Sequence, residues 1–330
     1  RARYLVQIWL STNVKVIGSK LVNCHDDSLC FTDSLDFWAV NNIVGGDYSD
    51  IPSSSGAIEV DGKSLYGYIL HNYLYGHETG MIVTTHSEHI VIEGNTVIGQ
   101  KWSGISVSGM NADLISKDIT VKNNTIISPR EHGIFVASWI IGVDISGNYV
   151  YKANGYGIDV KMGEQVTINN NILENNGGGI RIHKGSHHVS GSENIIDFNT
   201  GGVGLLIQGS DVRDITLAGL NISNGWNGGI VIDSAGGHIA IYDFTVENNH
   251  MMSESNGYGI MIRDTDNVTL TNGKVYDGRG AKKQWGVRIE GDSDYIVISG
   301  CDLRGNLDDV NLSIEEGANL NGEIRDSLSN

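Results

Sequence analysis

Two stretches, Gly157-Ile158-Asp159-Val160-Lys161 and Gly179-Ile180-Arg181-Ile182-His183, put ionisable residues at alternate positions of short glycine-opened segments. Successive side chains of a strand point to opposite faces, so an apolar-polar alternation buries one set and displays the other. With Ile158, Val160, Ile180 and Ile182 turned inward, Asp159, Lys161, Arg181 and His183 share an outer face. An acid, two permanent cations and an imidazole on a rigid floor can bind an anion and move a proton. The competing reading is a solvated strand face, because outward charges are ordinary and exposed ion pairs contribute little.

The neighbouring sequence extends this set. Tyr156 precedes the first segment as a phenol at the same strand start. Arg130, His132, Phe135 and Trp102 lie in the turns before it; Lys184, Gln208 and Asp233 lie in the turns after it. From Lys101 to His188 there are 8 basic and 7 acidic residues, which leaves 14 basic against 32 acidic elsewhere. A near-neutral band in an acidic chain suits a polyanion groove, since the local field steers a ligand more than net charge does. Trp102, Phe135 and Trp139 offer a platform for a sugar ring, or pack under loops. His187 and His188 read as surface residues rather than metal ligands. Asp26 and Asp27 have the look of a paired-carboxylate motif but read as a turn.

The elements that position these residues are repeats. Glycines that open apolar-polar-apolar segments stand at Gly80, Gly104, Gly133, Gly157, Gly179, Gly204, Gly229, Gly259 and Gly286, at intervals of 22 to 30 residues. Each repeat carries an apolar strand, an Asn-rich bend, a short apolar piece, a polar loop and the glycine strand. Such self-similarity marks a solenoid, in which each unit buries its apolar face only against its neighbours. No amphipathic helix interrupts the series. The expected fold is all-β, a right-handed parallel β-helix of about twelve turns, with Asn at matching bends stacked into ladders. One domain is expected over 1–319, with 320–330 as a C-terminal cap or tail. Longer loops are expected at Asp47 to Ser55, Gly109 to Lys117, His250 to Asn256 and Gly278 to Gln284, where they would wall a groove.

Composition narrows the partners. The 330 residues include 44 glycines and 2 prolines, so the turns are made by Gly, Asn and Asp. A formal charge of -17 argues against nucleic acid. Cys24, Cys30 and Cys301 give no disulfide framework, and no apolar run approaches the roughly 18 residues needed to cross a bilayer. The chain opens as if in mid-strand, which suggests a trimmed or mature piece without its N-terminal cap.

These repeats resemble those of the pectate-lyase-like superfamily over most of the chain. Gly155-Tyr156-Gly157-Ile158-Asp159 resembles the Y-G-F-D-P-H segment of mannuronan C5-epimerases, with Val160-Lys161 where that family has Pro-His. Lys161 followed one repeat later by Arg181 and His183 is similar to the Lys base and Arg acid of family 6 polysaccharide lyases. Phage tail spikes share the same repeats. The resemblance implies a polysaccharide partner and C5 proton abstraction on a uronate. Arg181 would neutralise the carboxylate through its planar fork, Lys161 or His183 would take the proton, and Tyr156 would return one. Asp159 would oppose the push that Arg181 gives toward a neutral Lys161. Elimination would make the protein a lyase, reprotonation an epimerase. The alternatives are a hydrolase that uses Asp159 with Glu131 or Asp233, and a noncatalytic glycan-binding adhesin or phage appendage. The resemblance calls for no cofactor, with calcium left open. It also leaves open a homotrimer, and implies an extracellular, cell-surface or virion location.

Overall fold

A computed structural model describes residues 4–24, 26–46, 55–249, 257–279, 284–306, 312–314 and 323–325. The chain forms three parallel sheets, here A, B and C, wound as a β-solenoid of about twelve turns, with no helix among the described residues. Three of the long loops expected from sequence, at Asp47 to Ser55, His250 to Asn256 and Gly278 to Gln284, fall wholly or largely outside the described residues, as does most of 320–330. The chain divides into two compact units, 1–171 and 172–330.

In the first unit a complete turn runs Leu65–Leu70 in sheet B, Tyr73–Tyr75 in sheet C and Thr79–Val83 in sheet A. The strands of sheet A stack in register, so that Ile58, Met81, Ile105, Ile134 and Ile158 form one inward column. All five are fully buried. Each such side chain contributes roughly 2 kcal/mol through removal from water. The outward column between them reads Glu59, Ile82, Ser106, Phe135 and Asp159, the alternation expected of the glycine strands.

The bends between sheets B and C are held by an amide ladder through Asn42, Asn72, Asn95, Asn124, Asn148 and Asn171. From Asn72 onward each Oδ1 accepts both the backbone N–H and the Nδ2 of the asparagine one turn before, as Asn124 does from Asn95 at 3.0 Å each. Each Nδ2 also reaches a backbone carbonyl, as Asn124 does to Ile92 at 3.0 Å. The ladder answers a specific need: a corner buried in a solenoid has backbone groups that no strand can pair.

Sheet B carries a feature that the sequence did not announce. One residue per turn steps out of the ladder into the left-handed region, as His89 and Asp118 do with φ of 57° and 54°. The register shows the step, since Glu88 pairs with Lys117 and Ile90 with Ile119 while the residues between do not. In the second unit the same place is taken by His188, Asp214, His238, Asn267 and Tyr295, with φ between 54° and 57°. His, Asp and Asn are among the side chains that best tolerate this conformation.

The second unit repeats the architecture with its own inward column in sheet A, Leu205, Ile230, Ile260 and Val287. Its outward columns are Leu206, Val231, Met261 and Arg288, and beside them Gln208, Asp233, Arg263 and Glu290.

Candidate active site

In the first unit, sheet A brings together residues that lie in separate turns of the sequence. Phe135 pairs in register with Asp159 on the outward face. His132, in the loop before Ile134–Val136, lies with its Nε2 3.2 Å from Asp159 Oδ2 and its ring 5.5 Å from that of Phe135. The backbone N–H of Tyr156 donates to His132 Nδ1 at 3.1 Å, and the Tyr156 ring lies 6.5 Å from the imidazole. Because Nδ1 accepts, Nε2 carries the ring proton and donates it to Asp159. The result is a chain of carboxylate, imidazole and backbone that fixes the entry to the Tyr156–Lys161 strand. Gly155 permits it, since a Cβ there would stand 2.7 Å from His132 Nδ1.

This arrangement changes the roles expected from sequence. Asp159 is 0% exposed, so it is not part of an open floor: it anchors His132, and its carboxylate lies beneath the face rather than on it. His132 has both nitrogens committed, which makes it a positioning group rather than a free base or substrate ligand. Lys161 and Tyr156 remain partly accessible at the two ends of the same strand. Trp102 is 41% exposed and stacks by backbone onto the next turn, its carbonyl accepting from Glu131 N at 3.1 Å. Arg130 is exposed and donates its backbone N–H to Gln100.

In the second unit, Arg181 is partly exposed, His183 is buried, and Lys184 is exposed. The outward neighbour of His183 in register is Gln208. Asp233, expected as a substrate ligand, is instead clamped: Arg263 donates to it from Nε at 2.9 Å and Nη2 at 3.0 Å, and Gln208 Nε2 donates at 2.9 Å. The Arg263 guanidinium foremost, with Gln208 and Ser234 assisting against the cost of burial, holds the Asp233 carboxyl below its ordinary range. A bidentate pair of this kind is a fixed brace, and both Gln208 and Asp233 serve it. Sequence reasoning missed Arg263, although its place among the outward residues one turn after Asp233 was readable.

The pair expected as a simple turn at Asp26 and Asp27 has a partner. Asp27 is 4% exposed, accepts from Gly56 N at 2.6 Å and shares a hydrogen bond with Glu59. Two carboxyls so joined hold one proton between them. Burial first, then the contact with Asp27, pushes Glu59 up to about 9, and burial raises Asp27 as well. Directly bonded carboxyls are closer than the roughly 5 to 9.5 Å that separate the two acids of glycoside hydrolases. The pair is therefore unsuited to that reaction. It has a consequence for stability. A carboxyl with a raised native pKa stabilises the fold fully below its ordinary value and loses that contribution as pH rises through the native one. Denaturant midpoints should fall between pH 5 and pH 9, and Glu59→Gln should flatten the dependence; an unchanged slope would show that the pair does not share its proton.

No curated protein matches the sequence. Among solved structures, the A-module of a mannuronan C-5 epimerase from Azotobacter vinelandii is 16% identical, with a TM-score of 0.64 over 96% of this chain and 90% of that one. The enzymatically active domain of tailspike protein 2 from bacteriophage CBA120 is 14% identical, with a TM-score of 0.60 over 90% of this chain, which covers 47% of that domain. The surface adhesin PfbA of Streptococcus pneumoniae is 11% identical, with a TM-score of 0.57 over 90% of this chain and 81% of that one. These likenesses are of fold. A model described as periplasmic copper-binding protein (NosD) matches residues 115–243. The model described as right handed beta helix region matches residues 4–163 and 202–329, most of the chain, and the protein belongs to that family.

Proposed function

We propose that the protein acts on an acidic, uronate-containing polysaccharide by C5 proton abstraction, as a lyase or a C5-epimerase. The observation that carries this reading is the Asp159–His132–Tyr156 chain in the first unit, with bonds of 3.2 and 3.1 Å that hold the Tyr156–Lys161 strand in one position. Proton transfer demands groups held within hydrogen-bond reach of the substrate, and rigid support is what makes such geometry reproducible. The A-module and tailspike structures lend support at the level of fold, the first being of a mannuronan C-5 epimerase.

In this reading Lys161 takes the C5 proton and Tyr156 supplies a proton to the sugar. If the C4 oxygen leaves with that proton, an unsaturated product forms; if the proton returns to C5 from the other face, the sugar is inverted. The carboxylate-neutralising role expected of Arg181 is tested separately by Arg181→Ala. The experiment is incubation of the protein with alginate, pectate and glycosaminoglycans, following absorbance of the unsaturated product and C5 stereochemistry by NMR. Turnover on at least one uronan is expected. New reducing ends without unsaturation would transfer the reading to a hydrolase, and binding without any product to an adhesin.

A further inference from the structure

The left-handed step in sheet B makes a trough in the second unit, away from sheet A. At each turn one residue leaves the ladder, and its side chain stands beside the strand instead of alternating inward. His188, Asp214, His238, Asn267 and Tyr295 are those residues, each with φ between 54° and 57° and each at least partly exposed. The floor beside them is low. Thr216, Ala240, Thr269 and Val297 stand in register along it, and none is larger than valine. Wall and floor bound an open space of about 660 Å³.

The lining suits hydroxyl groups. Thr216 and Thr269 each offer a donor and an acceptor, Asn267 offers both through its amide, and a neutral imidazole offers one of each. Asp214 keeps accepting capacity, because the imidazole nitrogens beside it, His238 Nδ1 at 3.4 Å and His188 Nε2 at 3.7 Å, lie beyond the roughly 2.7 to 3.2 Å of a good N–H···O bond. Tyr295 adds a ring. It is 58% exposed, and a fixed aromatic face can take the C–H side of a sugar at low entropic cost. Charge then selects among sugars. Among the described residues the lining holds a carboxylate and neither lysine nor arginine, which disfavours a uronate; Arg213, its Nε 3.7 Å from Asp214 Oδ2, stands outside the lining. A peptide strand finds no edge here, since sheet B pairs on both sides of the floor strands.

We propose that this trough binds a neutral, linear saccharide lying across successive turns of the second unit. Turns recur at about 4.8 Å, close to the length that one pyranose adds to an extended chain, so successive sugars meet successive turns. From Thr216 to Val297 the floor spans three such steps, roughly 14 Å, or about three sugars. Tyr295, at one end, stacks on the last ring, while Asp214, His238 and Asn267 bond to hydroxyls along the wall. The site binds and does no chemistry. It stands independently of the proton-abstraction reading, which concerns sheet A of the first unit.

The test is calorimetric titration of the full chain with xylotriose, cellotriose, mannotriose and maltotriose, with trigalacturonate as the acidic control. Saturable binding of at least one neutral trisaccharide is expected, with weaker binding of its disaccharide and little gain from its tetrasaccharide. Tyr295→Ala should weaken that binding by about tenfold or more, and Ala240→Trp, which fills the floor, should abolish it. The Tyr295 side chain faces solvent, so the melting temperature of Tyr295→Ala should equal that of wild type, which separates loss of a contact from loss of fold. Tyr156→Phe should bind the trisaccharide as wild type does, so the trough and the uronan reading fail separately. Three results overturn the trough: no saturable binding of any neutral trisaccharide, wild-type affinity in both trough variants, or tighter Tyr295-dependent binding of trigalacturonate than of the neutral sugars.

Discussion

Tyr156→Phe should lower turnover on the uronan substrate by about 10² to 10⁴, the contribution of one positioned acid or base, and leave the Michaelis constant nearly unchanged. The substitution deletes one hydroxyl and nothing else. The Tyr156 backbone N–H still donates to His132, and the ring still packs beside the imidazole. Loss of activity would therefore report the phenol itself. Asp159→Ala provides the contrast. It leaves the phenol in place but removes the acceptor of His132 Nε2–H from a site that is 0% exposed. That variant should lose both activity and melting temperature, because a buried donor without its acceptor costs about 1 to 3 kcal/mol. If Tyr156→Phe turns over at the wild-type rate while Asp159→Ala does not, the chain of bonds is structural and the proton comes from elsewhere. Steady-state kinetics at saturating polymer distinguish the two.

The repeat was plain in the sequence because its signals are local and redundant. A glycine, an inward pair and an asparagine bend recur in nearly every turn, and each one independently constrains the fold. The outward columns followed from the alternation alone: Phe135 opposite Asp159, and Gln208 opposite Asp233, pair as the glycine spacing requires. Depth on that outer face did not follow. Asp159 and Lys161 look equivalent in an alternating pattern, yet the first is buried and the second is not. The difference comes from His132, contributed by the loop of the preceding turn, and loop trajectories have no period. The Arg263 clamp on Asp233 was hidden for another reason: an Arg one turn away reads equally well as a free cation or as a brace until its guanidinium direction is known. The step in sheet B left no clear trace, since the positions that take it are filled variously by Tyr, His, Asp, Gly, Gln and Asn.

Asn124→Ala should be the most damaging substitution in the first unit outside its apolar core. Asn124 Oδ1 accepts from both the backbone N–H and the Nδ2 of Asn95, while its own Nδ2 donates to Ile92 O and to Asn148 Oδ1. Alanine removes all four bonds and leaves two donors of the preceding turn facing a methyl group at a position only 1% exposed. Stranded buried donors cost about 1 to 3 kcal/mol each, so a loss on the order of 3 to 5 kcal/mol is expected. Asn124→Asp is the sharper variant. The carboxylate keeps the acceptor role toward Asn95 but sets an oxygen against Ile92 O and Asn148 Oδ1, so at neutral pH it should destabilise at least as much as alanine. Since each turn of a solenoid is supported chiefly by its neighbours, the damage should be local. Hydrogen exchange should accelerate first at the bends carrying Asn95 and Asn148 and least at those carrying Asn42 and Asn171. A uniform rise in exchange along the whole unit would mean that it unfolds as one block and that the ladder is not its weak seam.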